Sequence, residues 1–119
     1  MKHMISLAAL VITSLQTIQV QLTSALAEEQ SGVASVYSTE SGTRTASGER
    51  LNPDALTAAH RSLPFGTKIR VTNKRNGRSV VVTVNDRGPV VPGRVIDVTP
   101  AAAQLLGLSG LTQVTINRE

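Results

Sequence analysis

The stretch Val80-Val81-Val82-Thr83-Val84-Asn85-Asp86-Arg87-Gly88-Pro89 joins a β-branched run to an abrupt turn signal. Such a run is typical of a strand buried on both faces, and the Gly-Pro pair ends it. Asp86 is therefore predicted to lie where a rigid strand releases the chain, a place where functional side chains are often presented. The alternative is that Asp86 only forms the turn, because Asp, Gly and Pro all favour turns.

A second stretch, from Thr57 to Thr67, has the same organisation. It places the titratable His60 between a short apolar segment and a Pro/Gly turn. Two titratable residues at the ends of such segments favour a site over two unrelated turns. We expect folding to bring the imidazole of His60 beside the carboxyl group of Asp86 in an open groove.

The remaining pattern indicates an all-β domain. Alternation of apolar and polar residues predicts five or six short strands, at 32–37, 56–59, 67–72, 79–84, 94–98 and 112–117. Asn76-Gly77 predicts a hairpin between the third and fourth. One helix is predicted from the Thr99 cap to Gly107, a second short helical segment is possible after Asn52-Pro53-Asp54, and residues 28–31 are expected to fray. These elements indicate a small closed barrel, because closure removes exposed sheet edges.

The first 27 residues are predicted to be a cleavable export signal. Lys2 and His3 precede an apolar run too short to span a bilayer, and Ala25-Leu26-Ala27 resembles a cleavage site. Residues 28–119 then form one domain. Because there is no cysteine, disulfides, a thiolate metal site and an acylated N-terminal cysteine are excluded. We expect a soluble, monomeric, cell-wall-associated periplasmic protein with no lipid anchor and no transmembrane segment after cleavage.

The charge balance suits an anionic partner. The formal net charge of +4 fits a wall polymer, and on charge alone it fits nucleic acid equally well. Nucleic acid is not expected, because the only aromatic residues are Tyr37 and Phe65 and the chain has an export signal. The basic residues are either a solvated surface or a patch that faces a polyanion.

The candidates for chemistry are Glu49, His60, Asp86 and Asp97. Cleavage of a glycosidic bond needs an acid that protonates the leaving oxygen. A partly desolvated carboxyl group can hold that proton near neutral pH, and Asp86 beside apolar neighbours is the candidate. His60 could orient this group, stabilise its charged form or relay a proton.

Competing interpretations of these residues are weaker or remain open. A zinc site from Glu49, His60 and Asp86 would be poor in histidine, since His3 leaves with the signal, so no metal or cofactor is expected. Serine nucleophile chemistry has no Gly-x-Ser-x-Gly elbow. Asp97 either satisfies nearby backbone N–H groups or takes a direct part in the site.

Several motifs together resemble the rare lipoprotein A family in order and spacing. They are Gly32-Val33-Ala34-Ser35-x-Tyr37, Thr45-Ala46-Ser47-Gly48-Glu49, Leu56 to Thr67, Val84 to Pro89, and Arg94-Val95-Ile96-Asp97-Val98. The resemblance implies a six-stranded double-psi β-barrel with one short helix. It also implies an endolytic peptidoglycan lytic transglycosylase, a carbon–oxygen lyase. Such enzymes cleave between N-acetylmuramic acid and N-acetylglucosamine in glycan strands lacking stem peptides and leave 1,6-anhydro ends.

The resemblance also implies roles for individual residues. Asp86 takes the position of the catalytic acid/base, with His60 and Glu49 as supporting site residues, and Asp97 lies where related barrels keep a second functional Asp. We therefore predict Asp86 and His60 as catalytic residues. We expect the glycan to be bound by Tyr37, Glu49, Arg87 and Asp97.

This chain departs from the family pattern in several places. Val36 stands where a Trp is usual, which removes a sugar platform, and Asn52 stands where an Asp is common. The acylated cysteine and the C-terminal wall-binding domain of many members are not found in this sequence.

Two other functions stay open. The first is a non-catalytic, expansin-like module that binds or loosens the wall. The second is a hydrolase in which Asp86 and Asp97 activate a water molecule. Inverting hydrolases of this kind have carboxyl groups about 6.5–9.5 Å apart and leave reducing ends.

Overall fold

The computed structural model describes residues 29–37 and 43–119. The predicted export signal at residues 1–27 lies outside the described residues and stays a prediction, as does the predicted boundary at residue 28. In the described part, the chain forms six strands and one helix. They are β1 (Glu29–Val36), β2 (Thr57–Ala59), β3 (Lys68–Asn73), β4 (Ser79–Asp86), β5 (Arg94–Val98), α1 (Pro100–Leu106) and β6 (Thr112–Arg118).

The six strands close into a barrel in the order β1-β5-β2-β4-β3-β6. The β1–β5 and β2–β4 pairs are parallel, and the other four pairs are antiparallel. The predicted hairpin joins β3 to β4 through a turn in which Gly77 has a φ of 76°, a conformation that disfavours other residues. The small closed barrel predicted from the sequence, and its one helix, are confirmed.

The barrel interior is filled by aliphatic side chains that alternate along the strands. They include Ile69, Val71, Val82, Val84 and Ile96, each at most 1% exposed. Burying a side chain of this size contributes about 1.5–3 kcal/mol, so this small set supplies much of the stability of the domain.

Helix α1 begins and ends as the sequence predicts. The Thr99 side chain accepts a hydrogen bond from the backbone N–H of Ala102 and donates one of 2.5 Å to the carbonyl of Ala55. Gly107, in the left-handed conformation, ends the helix. Leu106 packs into the core, so the helix covers one part of the barrel.

Four details of the prediction are corrected. Residues 28–31 were expected to fray, but strand β1 begins at Glu29, because Glu29 to Ser31 pair with β6. This pairing is made by backbone groups, so no apolar pattern in the sequence reveals it. Strand β4 continues to Asp86, beyond residue 84. The run from Val80 is buried mainly on one face, since Val81 and Thr83 are half-buried. Asn52 caps a turn that does not continue as a helix.

Candidate active site

Two acidic residues flank the end of the short strand β2. Ala59 pairs with Asp86 of β4 on one side and with Asp97 of β5 on the other. A β-bulge between Ala58 and Ala59 shifts the pairing of β2 with β4 at this point. Each acid is one strand from Ala59, so at about 4.8 Å per strand the Cα atoms of Asp86 and Asp97 are about 10 Å apart. The fold thus brings near each other two acids that the sequence separates.

The carboxylate of Asp86 accepts three hydrogen bonds. Oδ2 accepts one from the hydroxyl of Tyr37 at 2.9 Å. Oδ1 accepts two from backbone N–H groups, those of Ala46 at 2.8 Å and Arg87 at 2.9 Å. A carboxylate has about four lone-pair positions, so one position, on Oδ2, is left for a proton or a substrate hydroxyl. Asp86 is half-buried, which holds the group still without sealing it from solvent.

A tight loop carries Ala46 to this carboxylate. Arg44 and Arg50 form a β-bridge across the loop, and the N–H of Ser47 donates to the carbonyl of Asn85 at 3.2 Å. The loop therefore docks on the end of β4. Glu49 is an exposed member of it and accepts a 3.3 Å hydrogen bond from Ser47. Glu49 thus belongs to the loop that contacts Asp86, but its carboxylate is not among the hydrogen-bond partners of Asp86.

Tyr37 interacts with both acids, with Asp86 through a hydrogen bond and with Asp97 through its charge. Burial, the hydrogen bond to Asp86 and the negative charges of Asp86 and Asp97 together raise the pKa of Tyr37 well above its usual value. Its hydroxyl therefore stays protonated and remains a donor to Asp86. The sequence did not predict this polar contact of Tyr37, and the predicted role of Tyr37 in glycan binding stays a prediction.

Asp97 is paired with two neighbours on the same face. Its Oδ1 accepts hydrogen bonds from the Ser35 hydroxyl and from the Arg94 guanidinium, the latter at 3.2 Å. The Arg94 guanidinium also donates to Ser35. A carboxylate held by a hydroxyl and an arginine is fixed in place, which suits an orienting role more than that of a free base.

The imidazole of His60 is hydrogen-bonded to groups other than the Asp86 carboxylate. The backbone N–H of His60 donates to the carbonyl of Asp86 at 3.1 Å, so the two residues are neighbours. The ring, however, accepts hydrogen bonds at Nδ1 from the N–H groups of Ser62 and Leu63, and its Nε2 lies 3.0 Å from Oε1 of Gln30. The expected contact between this ring and the Asp86 carboxyl group is therefore wrong.

The bonding of the His60 ring fixes its protonation. Because Nδ1 accepts two N–H groups, the proton of the neutral ring is on Nε2, which donates to Gln30. Burial, and secondarily the charges of Arg87 and Arg61, lower the pKa of His60. The ring lines a cavity of about 400 Å³ at the end of the barrel, with Leu63 and Ile69 among its other walls. His60 thus holds the turn that follows β2.

Two arginines connect the loop after β2 to the loop after β4 through hydrogen bonds. Arg61, after β2, donates to the carbonyls of Pro89 at 2.6 Å and Val91 at 2.8 Å. Arg87, after β4, donates in the opposite direction to the carbonyl of Leu63 at 2.8 Å. The Arg87 guanidinium also lies 4.1 Å from the centre of the Phe65 ring. The bonds run both ways, so each loop fixes the other.

The sequence did not single out Ser35, Arg61 or Arg94 as parts of this arrangement. A polar Ser35 in an otherwise apolar stretch was the available signal, whereas the two arginines look like ordinary surface charges. Among residues 29–37 and 43–119, no group of three or more His, Asp or Glu side chains is placed to hold a metal ion. In the same residues, no helix has the length and apolar character needed to cross a bilayer.

Several curated proteins are similar in sequence to this chain. Curated relatives include the probable endolytic peptidoglycan transglycosylase RlpA of Nostoc sp., 62% identical over 82 residues that cover 66% of this chain and 22% of that protein. The endolytic peptidoglycan transglycosylase RlpA of Yersinia pestis is 55% identical over 89 residues, covering 74% of this chain and 25% of that protein. This chain thus spans about a quarter of the length of these relatives.

Solved structures share the fold. An expansin of Clavibacter michiganensis superposes with a TM-score of 0.60 at 23% identity, covering 76% of this chain and 50% of that one. A papain inhibitor of Streptomyces gives 0.59 at 22% identity, covering 76% of this chain and 93% of that one. At such identities the likeness concerns the fold, and the two different roles show that this barrel does not fix function.

A family model matches most of the chain. It is described as lytic transglycolase, and it matches residues 29–117, from the start of β1 almost to the end of β6. That range includes Tyr37, His60, Asp86 and Asp97, and the name of the family model denotes a double-psi β-barrel. This chain belongs to the lytic transglycolase family of double-psi β-barrel domains.

Proposed function

We propose that this domain is a lytic transglycosylase that cleaves peptidoglycan glycan strands, with Asp86 as its single acid/base. The observation that supports this most is the Asp86 carboxylate at the end of β4, held by three donors with one lone-pair position left on Oδ2. The names of the relatives supply the reaction type. The donors fix the position of the group before substrate binds, which lowers the cost of reaching the reactive geometry.

The reaction divides into an acid step and a base step. In the first, protonated Asp86 gives its proton to the glycosidic oxygen between N-acetylmuramic acid C1 and N-acetylglucosamine O4, and the C1–O4 bond breaks. In the second, the Asp86 carboxylate takes the proton of the C6 hydroxyl of the same muramic residue as that oxygen bonds to C1. The products are a free 4-hydroxyl and a 1,6-anhydro ring. Asp86 ends protonated as it began, and no water is consumed.

Other residues support this cycle without exchanging the proton. Tyr37 orients the carboxylate through Oδ2 and stabilises it when it is charged. His60 acts as a neutral ring that holds the turn beside Asp86. Asp97, fixed by Ser35 and Arg94, lies one strand beyond Ala59 and orients the sugar from that side.

The proposed function also includes a substrate and the compartment in which the domain acts. We infer that the substrate is the glycan strand lacking stem peptides, which is the substrate of the family that the sequence motifs resemble. Glu49 and Arg87 line the approach to Asp86. The domain acts as an exported, periplasmic monomer after removal of residues 1–27, with peptidoglycan as its partner.

Product analysis tests this function. Peptide-free glycan strands are incubated with the purified protein, and the ends of the fragments are identified by mass spectrometry. We expect 1,6-anhydro-muramic ends from the wild type and none from Asp86→Asn, which keeps the shape of the side chain. Asp54→Asn is the matched control, because Asp54 is an exposed turn residue on another part of the domain, and it should retain full activity.

The other outcomes identify the alternatives. Reducing ends would show a hydrolase that uses Asp86 and Asp97 with a water molecule. Binding to peptidoglycan with no released fragments would favour the expansin-like module. Full activity in Asp86→Asn would remove Asp86 from the role proposed here.

A further inference from the structure

The hairpin between β3 and β4 presents a cluster of positive charge. Lys74, Arg75 and Arg78 occupy three of five consecutive exposed positions. Lys74 and Arg75 also line a cleft of about 340 Å³, whose other walls are Leu111, Thr112 and Gln113. None of the cleft residues is acidic, and Leu111 is 67% exposed. The cleft therefore offers cationic donors beside an aliphatic wall.

Hydrogen bonds hold this hairpin in one shape. The side-chain oxygen of Asn73 accepts the N–H of Arg75, and that of Asn76 accepts the N–H of Arg78, both at 2.9 Å. The two asparagine amides donate to the same carbonyl, that of Leu106 at the end of α1, at 2.9 and 3.0 Å. The basic side chains thus project from a backbone that is ordered before any ligand binds, which reduces the entropy lost on binding.

The positive charge of the hairpin is not neutralised within the described part of the chain. The two ion pairs found there are Arg70–Glu119 and Arg94–Asp97, and neither includes a hairpin residue. The hairpin lies at the opposite end of β4 from Asp86. The eight residues of that strand rise about 3.3 Å each, which puts the cluster about 23 Å from the carboxylate along the strand. A ligand at the hairpin is therefore separate from the reacting bond.

We propose that the cleft of Lys74, Arg75 and Leu111 is a second glycan-binding site, specific for the lactyl carboxylate of N-acetylmuramic acid. That group carries a carboxylate next to a methyl group, which matches the two cations and the leucine. In a strand without stem peptides this carboxylate is free and charged, whereas a stem peptide converts it into a neutral amide. The identity of the polymer rests on the proposed function. The cleft therefore binds strands without stem peptides, because only their lactyl groups carry a negative charge.

Binding to insoluble peptidoglycan separates this proposal from catalysis. The full chain is sedimented with peptide-free glycan, and Lys74→Glu/Arg75→Glu is compared with Lys68→Glu/Arg118→Glu. The second pair changes net charge equally, at exposed positions elsewhere on the barrel. We expect about a tenfold loss of affinity for the hairpin variant and little for the control. Wild-type binding should weaken as salt rises from about 0.1 M to about 1 M, where the Debye length falls to about 3 Å.

Turnover of a short substrate and binding by the two double variants separate the possible outcomes. Turnover of a soluble fragment of two disaccharides, too short to reach from Asp86 to the hairpin, should be the same in the hairpin variant and the wild type. Equal loss of binding in both double variants, or loss in neither, overturns the proposal. So does binding to anionic phosphatidylglycerol vesicles in preference to glycan. If Lys74→Glu/Arg75→Glu unfolds at a lower temperature, Lys74→Gln/Arg75→Gln replaces it. The sedimentation assay measures binding and needs no cleavage of the glycan. It therefore tests the second site even if the domain proves not to be an enzyme.

Discussion

The hydroxyl of Tyr37 donates a 2.9 Å hydrogen bond to Oδ2 of Asp86. Tyr37 follows β1 and Asp86 ends β4, and β5 and β2 lie between these strands in the barrel. The bond therefore spans β2 and β5, the strand that carries Asp97. It joins residues 49 positions apart in the chain, so it depends on the register of the whole barrel.

Tyr37→Phe removes this donor and little else. We expect kcat on peptide-free glycan to fall about tenfold with KM nearly unchanged, because a hydrogen bond to a charged group contributes about 1.5–3 kcal/mol and 1.36 kcal/mol is tenfold in rate. Steady-state kinetics measure the two constants, and thermal unfolding checks that the ring still packs. A variant with unchanged kcat would show that Tyr37 does not orient Asp86.

Much of the fold was predictable because its signals are local. Alternation along β3, the Asn76-Gly77 turn and the Thr99 cap each depend on a few consecutive residues. The early start of β1 at Glu29 was missed because its pairing with β6 is made by backbone groups, which carry no side-chain signal.

The sequence named only part of the candidate site and none of its contacts. Ser35, Arg61 and Arg94 were missed, and the roles predicted for Asp86 and Asp97 stay predictions. Asp86 and Asp97 lie near each other because both pair with Ala59, a register that the sequence does not state. The hydrogen bonds of the His60 ring depend in the same way on the turn that follows β2 and on the position of Gln30.

The stability of the fold should depend on pH through His60. Its pKa is lowered in the folded state, so between that value and the ordinary 6.5 the unfolded chain binds more protons. The free energy of unfolding should therefore fall as pH decreases from about 7.5 to about 5.5, a range in which most carboxylates stay ionised. Denaturant titrations at a series of pH values measure this slope.

His60→Gln is the variant for that experiment, since Gln keeps an acceptor and a donor but does not titrate. It should be less stable than the wild type at pH 7.5 and show a flatter dependence on pH. His60 is the only histidine in residues 28–119, so the wild type itself supplies the comparison for the slope. Equal slopes for the wild type and His60→Gln would contradict the lowered pKa.

The hydrogen bonds of Arg61 should contribute to the stability of the fold. Arg61→Gln leaves the carbonyls of Pro89 and Val91 without their donor, and we expect a loss of about 1–3 kcal/mol in the free energy of unfolding. Arg61→Lys should not restore it, because one ammonium group lacks the planar fork that reaches both carbonyls. Denaturant titration measures the loss, and Arg75→Gln, in an exposed hairpin, is the control. Full rescue by lysine would show that only the charge matters.

Gly32 is required by its neighbours rather than by its backbone angles. A Cβ atom there would collide with Cγ1 of Val95 and lie 3.0 Å from the carbonyl oxygen of Gly93. Gly32→Ala should therefore destabilise the fold by about 1–3 kcal/mol through overpacking between β1 and β5. Val95→Ala removes the colliding methyl groups, so the double variant should lose less stability than the sum of the two single variants. Denaturant titration of the four proteins measures the coupling. Strict additivity would show that the carbonyl of Gly93, and not the valine, excludes a side chain at this position.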